Sequence, residues 1–94
     1  MNGLVIKMKE LKLFVMAGCP HCKRAEEMIT NLCTSHPEYK KVPIVKIDET
    51  KEPELAAKYD YYLVPTFFVG EEKIAEGVPT EEGVEKAFKA AYNG

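Results

Sequence analysis

The segment that decides the fold is residues 11–25, which read LKLFVMAGCPHCKRA. Leu11 to Met16 is apolar except for Lys12, and this pattern predicts a short strand buried on both faces. Gly18 and Pro20 then interrupt the strand, because both residues favour turns over extended structure. An amphipathic helix follows directly, so the segment predicts a strand that passes into a helix through a tight turn.

The helix that follows has its apolar residues on one face. They recur at intervals of three and four residues, with charged residues between them, as expected for a helix packed on a core. The last helix of the chain has the same spacing, and Thr80 is predicted to be its N-cap residue. The apolar positions of the first helix are Ala25, Met28, Ile29, Leu32 and Cys33, and those of the last are Val84, Ala87, Phe88, Ala91 and Tyr92.

The rest of the chain supplies three more strands and a short helix. Strands are predicted at Val42–Ile47 and around Lys73–Glu76, and the run Leu63–Val69 leads into another strand, whose aromatic part follows Leu63–Thr66. Thr50 is predicted to cap the short helix, with Pro53 in its first turn. The element order, strand-helix-strand-helix-strand-strand-helix, predicts an α/β fold: a four-stranded mixed sheet with helices on both faces.

Length and composition define one small domain over residues 1–94, in which residues 1–10 are an N-terminal extension of undecided structure. A net charge of −2 argues against a nucleic-acid partner. The longest mostly apolar stretch, Leu13–Ala17, is far shorter than the roughly 20 residues of a membrane span. Leu4–Ile6 is too short for the apolar part of a secretory signal. We therefore expect a cytoplasmic monomer that does not bind membranes.

The chemistry is concentrated where the first strand passes into the first helix. Backbone N–H groups and the helix dipole stabilise negative charge at a helix N-terminus, and this favours a thiolate on Cys19. Cys22 lies one helical turn further, from where it can resolve a mixed disulfide on Cys19. Pro20 fixes the turn between them, and His21 and Lys23 add positive or potentially positive charge. The sequence predicts a redox-active cysteine pair.

A metal site is the main competing interpretation, with Cys19, Cys22, Cys33 and His36 in a C-x₂-C-x₁₀-C-x₂-H pattern. The helical periodicity argues against it. Eleven residues of helix separate Cys22 from Cys33 by about 16 Å, whereas zinc lies about 2.3 Å from a ligating sulfur. We therefore predict no metal, and we expect Cys33 to be a buried core residue.

These motifs together resemble the glutaredoxin branch of the thioredoxin-like family over nearly the whole chain. The matching features are the CPHCKRA run of residues 19–25, the Val64-Pro65 dipeptide 46 residues after the first cysteine, and Gly77 ahead of the last helix. In the family, the proline that corresponds to Pro65 is cis and packs beside the active-site cysteines. The resemblance implies a thioredoxin-like fold and a thiol–disulfide oxidoreductase.

Departures from the family's patterns refine the expectation. The chain has no tryptophan, and Leu13 stands where thioredoxins have a buried aspartate, so the sequence is more similar to glutaredoxins. Glutaredoxins in turn have a basic residue where Met16 stands and a threonine where Leu63 stands, which argues against a strong glutathione site. The Cys-Pro-His-Cys tetrapeptide itself is similar to that of periplasmic disulfide-introducing oxidases, in which the histidine stabilises the thiolate.

The resemblance also implies substrate-binding residues. Val64 and Pro65 would form the surface that pairs with an extended substrate. Lys23, or the backbone N–H groups at Thr80 and Glu81, would meet a carboxylate of glutathione. The expected substrate-binding set is Val64, Pro65, Lys23 and Thr80.

The implied partners are disulfide-containing protein substrates and a reductase. No bound cofactor is expected beyond an external thiol electron donor, which is either a thioredoxin-reductase-type enzyme or glutathione. Two alternatives stay open at this point. One is an iron–sulfur cluster that two chains share through Cys19 and glutathione, and the other is a non-catalytic thioredoxin-like adaptor.

Overall fold

The computed structural model describes residues 8–94, so the predicted extension over residues 1–10 falls for the most part outside the described residues. Within the described range, four strands and three α-helices follow in the predicted order, with one short 3₁₀-helix added. The elements are β1 (Leu11–Val15), α1 (Pro20–Ser35), the 3₁₀-helix (Pro37–Lys41), β2 (Ile44–Asp48), α2 (Pro53–Ala56), β3 (Thr66–Val69), β4 (Glu72–Glu76) and α3 (Glu81–Asn93).

The four strands form one mixed sheet in the order β2-β1-β3-β4. β1 runs parallel to β2, with Leu11 opposite Ile44. β3 is antiparallel to both β1 and β4, and Phe14 stands opposite Thr66. The parallel pair requires the α1 crossover, whereas a tight turn suffices between β3 and β4. The predicted fold class, a four-stranded mixed sheet of thioredoxin-like architecture, is confirmed.

Helices cover both faces of the sheet, because alternate residues of each strand point to opposite sides. α1 and α3 pack on one face and α2 on the other. Each face therefore has its own hydrophobic core. The sheet residues of the first core are Leu11, Leu13, Val15, Phe67 and Val69, and the second core is built from Phe14, Ile47, Ala56 and Phe68. In the second core, Phe14 is fully buried, with ring centroids 4.9 Å from Tyr59 and 4.8 Å from Tyr61.

The predicted cap of α2 is wrong. The N-cap residue of that helix is Glu52 rather than Thr50, although Pro53 is in the first turn as predicted. The backbone N–H and the hydroxyl of Thr50 both donate to the Asp48 carboxylate, at 2.9 and 2.5 Å. Asp side chains commonly bind the backbone two residues on, and this turn ends β2 before the helix begins.

Two further features concern the ends of elements. The 3₁₀-helix after α1 was not predicted, and it buries Tyr39 against Phe88 and Tyr92 of α3. The third strand begins at Thr66, within the run Leu63–Val69 that was predicted to lead into it, because the residues just before Pro65 bond to a side chain instead of a neighbouring strand. Among the described residues, no helix has the length and apolar character needed to cross a membrane.

Candidate active site

A glycine turn connects β1 to α1 and places the first cysteine at the start of the helix. Gly18 has a φ of 79°, a left-handed conformation that favours glycine. Cys19 is the N-cap residue, and its Sγ accepts a hydrogen bond of 3.2 Å from the backbone N–H of Cys22. Pro20 occupies the first turn, where its missing N–H removes no helical hydrogen bond.

The two cysteines differ in exposure, and the pKa of Cys22 is strongly raised. Cys19 is partly exposed, whereas Cys22 has only 3% of its surface accessible. Burial, followed by the hydrogen bond with Cys19, raises the pKa of the Cys22 thiol to about 12. Cys22 therefore keeps its proton at neutral pH, while Cys19 presents its sulfur at the helix N-terminus. This asymmetry suits an attacking thiol and a resolving thiol.

A groove of about 750 Å³ opens beside the cysteines, between the start of α1 and the edge strand β2. Its walls combine the cysteines with charged side chains, and the Nζ of Lys46 lies 3.1 Å from Oε1 of Glu26. Neither member of this ion pair is among the site residues predicted from the sequence. Glu26 follows Cys22 by four residues, one helical turn, and that spacing is the signal that identifies it. The groove is lined by Cys19, Cys22, Lys23, Glu26, Lys46 and Asp48, among others.

The predicted docking residues lie at the same end of the sheet. β1 and β3 are antiparallel, so the residues after β1 lie near those before β3. The Val64–Pro65 peptide bond is cis, and Pro65 is buried. Val64 and Cys19 pack against the same hydrophobic core. Within residues 8–94, the backbone N–H and C=O of Val64 form no hydrogen bond, so both are free to pair with a peptide.

The other predicted site residues are dispersed. His21 is exposed on the first turn of α1, and its predicted stabilisation of the thiolate stays a prediction. Lys23 is exposed and lines the cysteine groove. Thr80 caps α3 as predicted, accepting from the Gly83 N–H at 2.9 Å, but it lines a separate depression. The structure therefore places Lys23, and not Thr80, in the groove with the cysteines.

Cys33 lies on the core face of α1 as predicted, although it is half-buried rather than fully buried. Burial raises the pKa of its thiol, an effect that the nearby Lys40 opposes. Within residues 8–94, no group of three or more histidine, cysteine, aspartate or glutamate side chains is placed to hold a metal ion.

The cysteine pair at the start of α1, on a four-stranded mixed sheet with Pro65 at the same end, defines a dithiol–disulfide redox protein. Comparison with known proteins agrees. The thioredoxin family model matches residues 6–90. The chain is 28% identical over 80 residues to the thioredoxin of Methanocaldococcus jannaschii, a match that covers 85% of this chain and 92% of that protein.

Solved structures agree on the fold. Mitochondrial thioredoxin 3 from Saccharomyces cerevisiae, in its oxidised form, is 27% identical with a TM-score of 0.67, over 89% of this chain and 81% of that one. Desulfothioredoxin from Desulfovibrio vulgaris Hildenborough, in its reduced form, is 22% identical with a TM-score of 0.62, over 88% and 81% of the two chains.

The chain belongs to the thioredoxin family, and it is a thiol–disulfide oxidoreductase. The matching family and the relatives named here are thioredoxins. The predicted placement in the glutaredoxin branch therefore stays a prediction.

Proposed function

We propose that the protein reduces or exchanges disulfide bonds in protein substrates through the Cys19–Cys22 dithiol–disulfide couple. The observation that carries the proposal is the asymmetry of the pair. Cys19 is accessible at the helix N-terminus with its sulfur accepting an N–H, whereas Cys22 is buried and protonated. Such an arrangement favours attack by one sulfur and resolution by the other.

The reaction proceeds in two exchanges. The Cys19 thiolate attacks one substrate sulfur, so that a mixed disulfide forms and the first substrate thiolate leaves. Cys22 then gives up its proton and attacks the Cys19 sulfur, which releases the second substrate thiolate. Two electrons and one disulfide bond have been exchanged, leaving the substrate as two thiols and the protein as a Cys19–Cys22 disulfide.

An extended segment of the substrate docks beside the cysteines. Among the described residues, the N–H and C=O of Val64 form no hydrogen bond, and this supports this part of the proposal, since an extended peptide can pair with both groups. Pro65 packs beneath this edge and is itself buried. Substrate recognition is then mostly through the backbone, which accommodates many different protein sequences.

We assign the electron donor to a reductase of the thioredoxin-reductase type rather than to glutathione. Glutathione carries two carboxylates, and acidic residues lie at the end of the sheet where α3 begins: Glu81 and Glu82 form the first turn of α3. Repulsion between these charges and a carboxylate lowers affinity by about fivefold to tenfold. In this proposal the protein acts as a cytoplasmic monomer.

Trapping the covalent intermediate tests the proposed roles of the cysteines. With a disulfide-containing protein such as insulin, Cys22→Ser is expected to accumulate a mixed disulfide on Cys19, because the resolving thiol is gone. Cys19→Ser is expected to trap nothing. Cys33→Ser is the matched control and is expected to turn over like the wild type. Mixed disulfides found on Cys22 in the Cys19→Ser variant would contradict the assignment.

Parallel turnover assays test the donor. We expect faster reduction of the Cys19–Cys22 disulfide by NADPH with a thioredoxin reductase than by glutathione with glutathione reductase. Efficient turnover with glutathione at low millimolar concentration would overturn the donor assignment while leaving the cysteine roles intact.

A further inference from the structure

The segment before Pro65 is held by a carboxylate on the neighbouring hairpin. Glu76, the last residue of β4, accepts through Oε2 from the backbone N–H groups of both Tyr62 and Leu63, the latter at 2.9 Å. Its other oxygen, Oε1, receives the Nζ of Lys73 at 2.7 Å. One side chain therefore fixes two successive amides and is itself held in place by a lysine.

Two further hydrogen bonds hold the C=O groups of Leu63 and Pro65 in the same segment. The N–H of Gly77 donates to the C=O of Pro65 at 2.9 Å, and the hydroxyl of Thr66 donates to the C=O of Leu63. Val64 lies between these anchored groups, and its own N–H and C=O form no hydrogen bond within residues 8–94. The chain is thus held on either side of Val64.

Burial of the Tyr62 and Leu63 side chains does not explain why the segment is held in place. Tyr62 is 87% exposed and Leu63 is 59% exposed, although both side chains are large and apolar. A segment that buries so little apolar surface gains little from the hydrophobic effect. The hydrogen bonds to Glu76 are therefore the principal restraint on its first two amides.

Glu76 is suited to this role because it stays ionised. Its side chain is only 19% exposed, beside the Lys73 ammonium. Lys73 and the two backbone N–H groups lower the pKa of the Glu76 carboxyl to about 2. Hydrogen bonds to a charged acceptor are stronger than those to a neutral one.

We propose that Glu76 is a positioning residue that holds the Tyr62–Val64 backbone in the shape that pairs with a disulfide-containing protein segment. The inference rests on the proposed function. A docking edge that is already ordered loses less conformational entropy when a substrate binds. Glu76 contacts neither sulfur, so it affects the binding of extended substrates and leaves exchange at the cysteines unchanged.

The test compares a protein disulfide, turned over with dithiothreitol as reductant, with a small disulfide, whose exchange with the prereduced protein is followed after excess dithiothreitol has been removed. The variants are Glu76→Ala and Glu76→Gln, and Glu72→Ala, an exposed position on the same strand, is the matched control. Glu76→Ala is expected to raise KM for insulin on the order of fivefold. Its rate with a small aromatic disulfide, which does not use the docking edge, is expected to match the wild type. A merely structural role would slow both reactions together.

Amide hydrogen exchange measures directly how firmly Glu76 holds the Tyr62 and Leu63 N–H groups. The Tyr62 and Leu63 amides are expected to exchange faster in Glu76→Ala and to keep their protection in Glu72→Ala. If Glu76→Ala does not fold, Glu76→Gln decides the question: it keeps one acceptor oxygen and is expected to raise KM for insulin by a smaller factor. A wild type that leaves insulin oxidised would overturn the proposed function, and the inference with it. An active wild type whose folded Glu76 variants keep its KM for insulin would overturn the inference alone.

Discussion

Lys46 on β2 and Glu26 on α1 form an ion pair across the groove beside the cysteines, with 3.1 Å between Nζ and Oε1. Leu13 stands opposite Lys46 in the β1–β2 register and is 1% exposed, so the central strand offers no carboxylate there. After burial and the neighbouring Cys19 sulfur, the charge of Glu26 also contributes to the raised pKa of Cys22.

Glu26→Gln is therefore expected to speed the resolving step. Removing the negative charge lowers the pKa of Cys22, and because the Glu26 side chain is 45% exposed the change is small, about a twofold gain in thiolate. The measurement is the rate at which Cys22 displaces a small thiol from a mixed disulfide on Cys19, between pH 7 and 9. Glu27→Gln, at the next exposed position, is the control. A slower step in Glu26→Gln would instead assign the carboxylate as a proton acceptor.

Cys33→Ala is expected to leave turnover nearly intact. Cys33 is half-buried on the core face of α1, so its replacement removes some packing and costs about 1 kcal/mol of unfolding free energy. Urea denaturation and insulin reduction measure the two quantities. Lost activity in the folded variant, or stoichiometric zinc in the purified protein, would revive the metal interpretation.

Gly77→Ala is expected to be destabilising for two separable reasons. Gly77 has a φ of 88°, and an alanine Cβ there would lie 3.2 Å from Cδ1 of Leu63. The left-handed conformation costs about 1–2 kcal/mol, and Gly18→Ala, which meets nothing within 4 Å, measures that part alone. Gly77→Ala is expected to cost more than Gly18→Ala.

Adding Leu63→Ala to Gly77→Ala isolates the steric contribution of the Leu63 side chain. The double variant is expected to recover the excess cost, because the truncated side chain leaves room for the new methyl group. Equal costs in the Gly18 and Gly77 variants would contradict a steric contribution from Leu63.

Stability at acid pH is expected to depend on Glu76. Its pKa is lowered from 4.5 to about 2, so its contribution is fully present above about pH 4.5 and is lost as the pH falls through 2. Glu76→Gln should therefore lower the urea midpoint at pH 7 and make it less dependent on pH between 4.5 and 2. Glu72→Gln should keep the wild-type dependence. Parallel pH profiles for the wild type and Glu76→Gln would show that this carboxylate is not linked to folding.

The sequence predicts the elements whose signals are local. The turn at Gly18, the apolar spacing of α1 and the Thr80 cap each lie within one segment, and the structure has all three. The cap of α2 was misplaced because Thr50 is a good capping residue that also fits the Asp48 turn, and the turn is what forms.

The residues of the candidate site also divide into those that a local sequence signal identifies and those that only the tertiary fold brings together. Cys19 and Cys22 could be identified because they are three residues apart at the start of one helix, and this spacing brings them together. Glu76 could not, since it meets the Leu63 amide from 13 positions away and only the strand pairing brings it there. A carboxylate at the end of an edge strand also looks like an ordinary exposed residue in the sequence.

The sheet order has a consequence for the folding unit. β1, α1 and β2 are consecutive in the chain, as are β3, β4 and α3, and the two halves are joined in the sheet where β1 meets β3. The cysteines belong to the first half, and Val64 leads into the second. When the two halves are produced as separate fragments, we therefore expect disulfide reduction to require both, because the cysteines are on one fragment and the proposed docking residue Val64 is on the other.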